Sequence, residues 1–356
     1  MTIASTCGQL IVGGFSGPSL PASYAKALRG GRRGGAVLFA SNLTGGPAQV
    51  AALARQVHAA SASPLLAVDQ EGGRVARLGD PVLKVPAMRV VASWNDVVLA
   101  ERIARVVGEQ LAAFGFTWNF APVMDVDSQA ENPVIGDRAF GPSPEVCGRF
   151  GTAWVRGLQS AGILATAKHF PGHGDTTQDS HLALPQVHGT RERLDAIEIE
   201  PFRLAAAAGV ATMMTAHVVY PAIDGQLPAT LSPLICTDVR NRIGFRGILV
   251  SDDLEMKAIS DHYRSDEAAV LAVAAGCDAL LVCHSESAQE RSFEGLVTEA
   301  ERSPTFLARC QEALERVMAA RRRATARPLD DESVDALFGS DETRQVKAAI
   351  ARRLSS

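Results

Sequence analysis

The chain has 356 residues, of which 47% are hydrophobic and 21% are charged, an ordinary composition for a globular protein. Its 35 basic and 39 acidic residues leave a net charge of −4, which excludes a general attraction to nucleic acid or to an anionic membrane. The 6 cysteines occur singly, without a CxxC pair, so neither a zinc cluster nor a disulfide framework is indicated. No apolar run is long enough to span a membrane, and the amino terminus lacks the pattern of a secretion signal, so we expect a cytoplasmic protein.

Short apolar runs recur along the chain, and we predict a strand at each of them. The predicted strands are Gln9–Gly14, Ala36–Ala40, Leu65–Asp69, Thr117–Val126, Ile163–His169, Ala211–His217, Ile248–Asp252 and Ala279–Cys283. Alanine-rich amphipathic segments between them predict helices, for example Pro47–Ala60, Val97–Phe114, Pro144–Ala161, Glu192–Ala208, Ser265–Ala275 and Ser287–Arg302. After the last strand we predict helices Thr305–Thr325 and Ser333–Leu354, divided by Pro328.

Strands that alternate with helices in this way indicate parallel pairing through right-handed crossovers, and such units close into a (β/α)₈ barrel. We therefore predict an α/β fold, a single-domain TIM-type barrel over residues 1–303 with a C-terminal helical extension, residues 304–356, packed on it. The alternative is an open doubly wound sheet, but no GxGxxG motif follows the first strand. The basic cluster at residues 321–323 is interpreted as a solvated helix end.

Several predicted strands end in a charged or imidazole side chain, where barrel enzymes carry their catalytic groups. These ends lie at or near Asp69, Asp125, the Lys168–His169 pair, His217 and the Asp252–Asp253 pair. Adjacent side chains on a strand point to opposite faces, so only one of Asp252 and Asp253 is expected to face the barrel mouth. For His217 a core histidine with satisfied hydrogen bonds is an equal alternative.

The densest group of titratable residues follows the fifth strand, where KHFPGHG, four further residues and DSH run from Lys168 to His181. Proline and glycine break regular structure there, which is typical of a functional loop. Asp179 and His181 can touch in a turn, where the carboxylate would fix the ring tautomer and favour the charged imidazole. His181 is therefore a candidate proton donor and acceptor, with a structural turn hydrogen bond as the other interpretation.

Together, KHFPGHG-x₄-DSH, AVDQEGGRV, NFAPVMDV, GDRAFG and SDDLEM resemble glycoside hydrolase family 3 over roughly residues 30 to 285. The nearest resemblance is to its single-domain bacterial β-N-acetylglucosaminidases of cell-wall recycling. The resemblance implies a (β/α)₈ barrel and retaining, exo-acting removal of terminal N-acetylglucosamine from muropeptides or related glycosides through a covalent glycosyl-enzyme. It implies a carbohydrate substrate, no cofactor, no metal and no nucleic-acid or membrane partner, and we expect a monomer.

The same resemblance implies a role for each matching residue. Asp252, directly after Ser251, corresponds to the nucleophile, and His181, with Asp179 as its partner, corresponds to the general acid and base. The implied sugar-binding residues are Asp69, Arg77, Arg138, Lys168 and His169.

Other activities stay open at this point. An imidazole acid repels an anion less than a carboxylate would, so a phosphorylase of the same family is an alternative. A β-glucosidase of the family is a further alternative. A metal-dependent barrel hydrolase would use Lys168, His217 and Asp252 as ligands, but the first strand has no His-x-His. A non-catalytic sugar-binding protein would need neither Asp252 nor the Asp179–His181 pair.

Overall fold

The computed structural model describes residues 1–129, 131–176, 184–325 and 328–355. In these residues eight parallel strands close into a barrel in the order β1-β12-β11-β8-β7-β6-β3-β2. The barrel strands are β1 (Ile11–Gly14), β2 (Gly35–Leu38), β3 (Leu65–Val68), β6 (Trp118–Asn119), β7 (Leu164–Phe170), β8 (Thr212–Thr215), β11 (Ile248–Asp253) and β12 (Ala279–Val282). Two hairpins lie outside the barrel, β4 (Gln70–Gly72) with β5 (Val75–Ala76), and β9 (Val219–Tyr220) with β10 (Asp224–Pro228).

Helices follow the strands and cover the outside of the barrel. They are α1 (Ile3–Gly8), α2 (Ala22–Arg29), α3 (Gly46–Ala60), α4 (Met88–Ser93), α5 (Val97–Phe114), α6 (Pro144–Ser160), α7 (Arg191–Ala196), α8 (Glu200–Ala207), α9 (Pro233–Asn241), α10 (Lys257–Ser260), α11 (Ser265–Ala275), α12 (Glu286–Arg302), α13 (Pro304–Arg323), α14 (Asp331–Phe338) and α15 (Asp341–Leu354). The predicted (β/α)₈ fold is confirmed. No helix in the described part of the chain has both the length and the apolar composition that crossing a bilayer requires.

The barrel interior is packed with side chains, so ligands reach only its mouth. Trp118 is fully buried there, and its indole Nε1 donates to the hydroxyls of Thr166 at 2.8 Å and Thr212 at 3.0 Å. Threonine hydroxyls thus satisfy the one polar atom of a large aromatic ring in the core.

The fourth predicted strand, Thr117–Val126, is wrong in length, since β6 covers only two of its residues. Pro122 interrupts it because proline has no N–H to donate to the ladder. The chain nevertheless continues beside β7, with a single bridge between Val123 and Lys168. This irregular continuation carries Asp125 to the barrel mouth.

Two predicted helices are each divided into two. Helix Glu192–Ala208 is broken into α7 and α8, because Pro201 fits the first turn of a helix and not its interior. The helix predicted at Ser333–Leu354 is divided into α14, which begins two residues earlier at Asp331, and α15. Ser340 caps α15 by accepting a hydrogen bond from the N–H of Thr343 at 3.2 Å.

Helix α13 is tied to the base of the barrel by its arginines. The guanidinium of Arg321 donates to the carbonyl of Gly34 at 2.8 Å and also bonds Gln9. The interpretation of residues 321–323 as a solvated helix end is therefore wrong for Arg321, whose long side chain reaches back over the barrel. Helix α15 is held to α5 in a similar way, because Arg102 and Arg105 both pair with Glu342.

Candidate active site

A cavity of about 310 Å³ opens at the carboxyl ends of the barrel strands. The residues in its wall that the sequence predicted are Asp69, Arg77, Arg138, Lys168, His169 and Asp252. The structure thus brings together six of the eight predicted site residues. The other two, Asp179 and His181, lie outside the described residues.

Glu71 is the centre of a buried ion network on one side of the cavity. Its carboxylate accepts two parallel hydrogen bonds from Arg138, at 2.8 and 2.9 Å, and lies 2.6 Å from the ammonium of Lys168. Burial alone would raise the pKa of Glu71, but the charges of Arg138 and Lys168 outweigh it and lower the pKa well below its usual range. Glu71 therefore stays ionised and fixes both cations in position.

Asp69 connects this network to the open cavity. Its Oδ1 lies 2.8 Å from Lys168 Nζ, and its Oδ2 lies 3.6 Å from Arg77 Nη2. Burial would lower the pKa of Lys168, but Asp69 and Glu71 raise it, so the ammonium remains charged. Because Asp69 is partly exposed, one acceptor and two cations face the space that a ligand would fill.

Two adjacent aspartates at the end of β11 have different surroundings. Asp253 Oδ1 accepts from the backbone N–H groups of Glu255 and Cys283, both at 3.1 Å. Asp252 faces the cavity and accepts only the N–H of Asp253, at 2.8 Å, among the hydrogen bonds of the described residues. Both aspartates line the cavity, so the expectation that only one of them faces the mouth is wrong. The two differ instead in their hydrogen bonds, since Asp253 Oδ1 is held by two backbone N–H groups.

The charge state of Asp252 follows from its neighbours. Burial would raise the pKa of this carboxyl, but the positive charges that His169 and His217 carry when protonated, and the N–H of Asp253, together lower it. A carboxylate that stays ionised and is not consumed by internal hydrogen bonds can act as a nucleophile.

Asp125 organises the loop that follows β7. Its carboxylate is fully buried and accepts from the backbone N–H groups of His169 at 3.0 Å and His173 at 2.7 Å, and from His169 Nδ1 at 2.7 Å. The hydrogen bond to Nδ1 fixes the ring of His169, which forms part of the cavity wall. Gly174 completes the turn, since a Cβ at this position would lie 1.6 Å from the carbonyl oxygen of Val126.

Two further histidines lie at the mouth. His217 is buried, with Nε2 donating to the carbonyl of Asp253 at 2.9 Å and Nδ1 2.8 Å from the hydroxyl of Thr230. This is the core histidine that sequence analysis held as an alternative, and burial lowers its pKa. Burial likewise lowers the pKa of His173 to about 4, so both rings are neutral near pH 7.

Sequence reasoning assigned no role to Glu71, His173 or His284, all of which line the cavity. Glu71 had a usable signal, because it follows Asp69 by two residues in the same motif and so could share its side of the chain. Asp125 was noted only as a strand end. Its three hydrogen bonds could not be read from the sequence, since they depend on how β6 and β7 are placed side by side.

No group of three or more His, Cys, Asp or Glu side chains is arranged to hold a metal ion in residues 1–129, 131–176, 184–325 and 328–355. What the cavity does offer is the carboxylate of Asp252 together with a separate set of hydrogen-bond donors and acceptors around Asp69 and Lys168. Such an arrangement can hold the hydroxyl groups of a sugar while Asp252 approaches its anomeric carbon.

Comparison with known proteins identifies the family. Residues 2–320 match the model of the glycosyl hydrolase family 3 N-terminal domain. The chain is 42% identical over 266 residues to a β-hexosaminidase of Thiobacillus denitrificans, covering 72% of this chain and 73% of the relative. It is 39% identical over 287 residues to a β-hexosaminidase of Pseudomonas aeruginosa, covering 79% and 84% of the two chains.

Solved structures agree with the sequence relatives. A family 3 β-N-acetylglucosaminidase from Paenibacillus sp. superposes with a TM-score of 0.91 at 39% identity, covering 99% of this chain and 69% of that one. NagZ from Neisseria gonorrhoeae superposes with a TM-score of 0.82 at 30% identity, covering 97% of both chains. This chain therefore belongs to glycosyl hydrolase family 3.

Proposed function

We propose that this chain is a retaining, exo-acting β-N-acetylglucosaminidase in which Asp252 is the nucleophile. Its activity class, β-N-acetylhexosaminidase, is that of its relatives. The observation that carries the role of Asp252 is the contrast with Asp253, whose Oδ1 is held by two backbone N–H groups. Asp252 is ionised and faces the cavity, so its carboxylate can attack the anomeric carbon and form the glycosyl-enzyme.

The same proposal assigns the terminal sugar to the charged side of the cavity. Asp69 would accept hydrogen bonds from ring hydroxyls, and Lys168, Arg77, Arg138 and His169 would donate to them. A cavity of about 310 Å³ suits one pyranose, which favours exo-acting cleavage. The Neisseria gonorrhoeae NagZ has also been solved in complex with N-trifluoroacetyl-D-glucosamine, a ligand of the kind this cavity would take.

For the proton transfers we propose His181, with Asp179 as its partner. The support is the family motif in the sequence, KHFPGHG-x₄-DSH. In the first step His181 would protonate the leaving oxygen, and in the second it would take a proton from water. General acid–base assistance of this kind contributes about 10²- to 10⁴-fold to the rate.

The natural substrate, cellular location and domain division belong to the same proposal. We infer a carbohydrate substrate derived from peptidoglycan and a monomer in the cytoplasm, without nucleic-acid or membrane partners. The small net charge of −4 and six free cysteines support this location and partner choice. We also infer that residues 1–303 form the catalytic barrel and that residues 304–356 are a helical extension, which the arginine contacts of α13 and α15 support.

The experiment is hydrolysis of the p-nitrophenyl β-glycosides of N-acetylglucosamine and of glucose, by wild type and by Asp252→Asn, with and without phosphate. We expect release of nitrophenol from the acetamido substrate alone and its loss in the variant. Formation of a sugar 1-phosphate in the presence of phosphate would show that the enzyme is a phosphorylase and not a hydrolase. Absence of turnover of both glycosides by the wild type would contradict the proposed activity.

A further inference from the structure

The two sides of the cavity wall differ in how exposed their side chains are and in whether those side chains are charged or apolar. On the charged side, the side chains of Lys168 and Arg138 are only 3% and 11% exposed. On the side formed by the ends of β2 and β12, the wall residues are Val37, Phe39, Leu281, Cys283 and His284. His284 is the titratable ring on that side, and its side chain is 64% exposed. His284 therefore lies at the rim, beyond the depth at which the terminal sugar would be held.

The ring of His284 is held in place from two directions. Its Nε2 lies 3.2 Å from Asp253 Oδ2, and Asp253 is itself fixed through its other oxygen by the N–H groups of Glu255 and Cys283. The ring of Phe39 packs against it, with centroids 5.3 Å apart and planes inclined by 31°. A rim side chain anchored in this way presents a fixed surface to a ligand, so little conformational freedom is lost on binding.

His284 lies on the side of the barrel mouth toward which the leaving group of a bound glycoside would extend. Strand β12 is the neighbour of β11, which carries Asp252, and β3, which leads to Asp69, lies on the opposite side of the barrel. A sugar held by Asp69 and Lys168 with its anomeric carbon at Asp252 would direct its leaving group out of the mouth, on the side of β12. The group that meets His284 is then the leaving group and not the terminal sugar.

We propose that His284, backed by Phe39, is a specificity residue that contacts the leaving group, which in the substrates proposed above is a second sugar ring. The inference rests on the proposed function and extends it from the terminal sugar to the next one. An imidazole has an apolar face and polar ring edges. A pyranose offers the complementary surfaces, C–H groups on its face and hydroxyls around its edge. The hydrogen bond to Asp253 raises the pKa of His284, which favours the form in which both ring nitrogens donate.

The test compares two substrates that share the N-acetylglucosaminyl group and differ only in the leaving group. One is N,N′-diacetylchitobiose, whose leaving group is a sugar, and the other is the methyl β-glycoside, whose leaving group is too small to reach the rim. For His284→Ala we expect kcat/KM for the disaccharide to fall about five- to tenfold. We expect less than a twofold change for the methyl glycoside. His284→Phe, which keeps a ring, should recover part of the loss.

The control is His262→Ala, which removes an exposed histidine that is not part of the cavity wall. It should leave both substrates unchanged, and thermal unfolding should show that all three variants are folded. An equal loss on both substrates would overturn the inference, because it would mean that His284 acts through Asp253 and not on the leaving group. An unchanged disaccharide rate would overturn it as well. If the wild type cleaved neither substrate, the proposed function itself would fail, and this result is distinct from either variant outcome.

Discussion

Two buried charge clusters lie at opposite ends of the barrel and differ in what surrounds them. At the mouth, Glu71 holds Arg138 and Lys168, and the network continues to Asp69 at the cavity. At the base, the fully buried Asp278 is paired with Arg240, with Arg309 at 2.5 Å and with Arg316 at 3.0 Å, and it also accepts the N–H of Leu249. The base cluster fixes α13 to the barrel, since Arg309 and Arg316 belong to that helix.

The two clusters differ in whether any of their polar groups remain able to form a hydrogen bond with a ligand. Both oxygens of Asp278 are occupied by protein groups, so the base cluster is complete by itself. At the mouth, Arg77 Nε is buried without a hydrogen-bond partner among the described residues, and Asp69 is partly exposed. Similar residue types therefore serve stability at one end and prepare a binding surface at the other, and burial of a carboxylate alone does not distinguish the two.

The largest effect is expected for Asp252→Asn, which removes the carboxylate proposed as the nucleophile. Loss of a nucleophile should reduce kcat by at least about 10³-fold without a large change in stability. The matched control is Asp253→Asn, which keeps the oxygen that accepts two N–H groups and should lose about tenfold or less. The measurement is kcat of both variants in steady-state kinetics on an N-acetylglucosaminide. An inactive Asp253→Asn together with an active Asp252→Asn would mean that Asp253, and not Asp252, is the nucleophile.

Asp278→Asn should produce the largest loss of stability. Removing one partner of a buried ion cluster leaves uncompensated cations and typically destabilises by about 3–5 kcal/mol. Urea unfolding measures this change, and kcat per folded molecule should stay within twofold of the wild type. A strong decrease in kcat of the folded variant would contradict the separation of the base cluster from the chemistry.

Glu71→Gln should reduce both activity and stability, because Glu71 is buried and positions cations that face the cavity. We expect kcat/KM to fall by about 10²-fold, equivalent to about 2.7 kcal/mol. Without the carboxylate, Arg138 and Lys168 lose their fixed positions. The measurement is kcat/KM at a temperature where the variant is fully folded by circular dichroism. Wild-type kcat/KM in this variant would show that the mouth cluster, like the base cluster, is only structural.

The effect that is smallest per unit of the variable changed concerns the pH dependence of stability and Glu198, a buried carboxyl whose single described ion-pair partner is Arg193, at 3.3 Å. Burial raises its pKa to about 7, from an ordinary value of 4.5. Between these two pH values the folded state binds the proton that the unfolded state releases, so this group's contribution to stability falls as pH rises. The slope is at most about 1.4 kcal/mol per pH unit. His173, with its pKa lowered to about 4, contributes the opposite slope over pH 4 to 6.5.

Glu198→Gln separates the contribution of Glu198 to the pH dependence of stability from that of His173. Relative to this variant, the wild type should lose unfolding free energy between pH 5 and 7, as measured by urea denaturation at each pH. A constant difference between the two proteins across this range would show that Glu198 does not carry a raised pKa. Glu71, with two close cations, has a lowered pKa, whereas Glu198, with one ion-pair partner among the described residues, has a raised pKa.

The sequence was sufficient for the barrel and for six residues of the cavity wall. Short apolar runs located all eight barrel strands, and the position of Asp69, Lys168 and Asp252 at strand ends predicted that they would meet. Pro122 and Pro201 were visible in the sequence, but their effect on β6 and on the helix after β7 was not anticipated.

What could not be predicted depends on contacts between distant segments. The pairing of Glu71 with Arg138 spans 67 residues, and that of Arg309 with Asp278 joins α13 to the barrel. No local pattern encodes these pairs, since each residue alone resembles any surface charge. His284 was missed for the same reason, because its position at the rim depends on closure of the barrel between β12 and β1.

The most direct test of the central claim is to trap the glycosyl-enzyme with a 5-fluoro N-acetylglucosaminyl donor and to identify the modified peptide by mass spectrometry. The account predicts one added sugar per molecule, attached through an ester to Asp252, and no label in Asp252→Asn. A label on another residue, or release of a product with inverted anomeric configuration and no trapped intermediate, would contradict the assignment of Asp252 and the retaining mechanism.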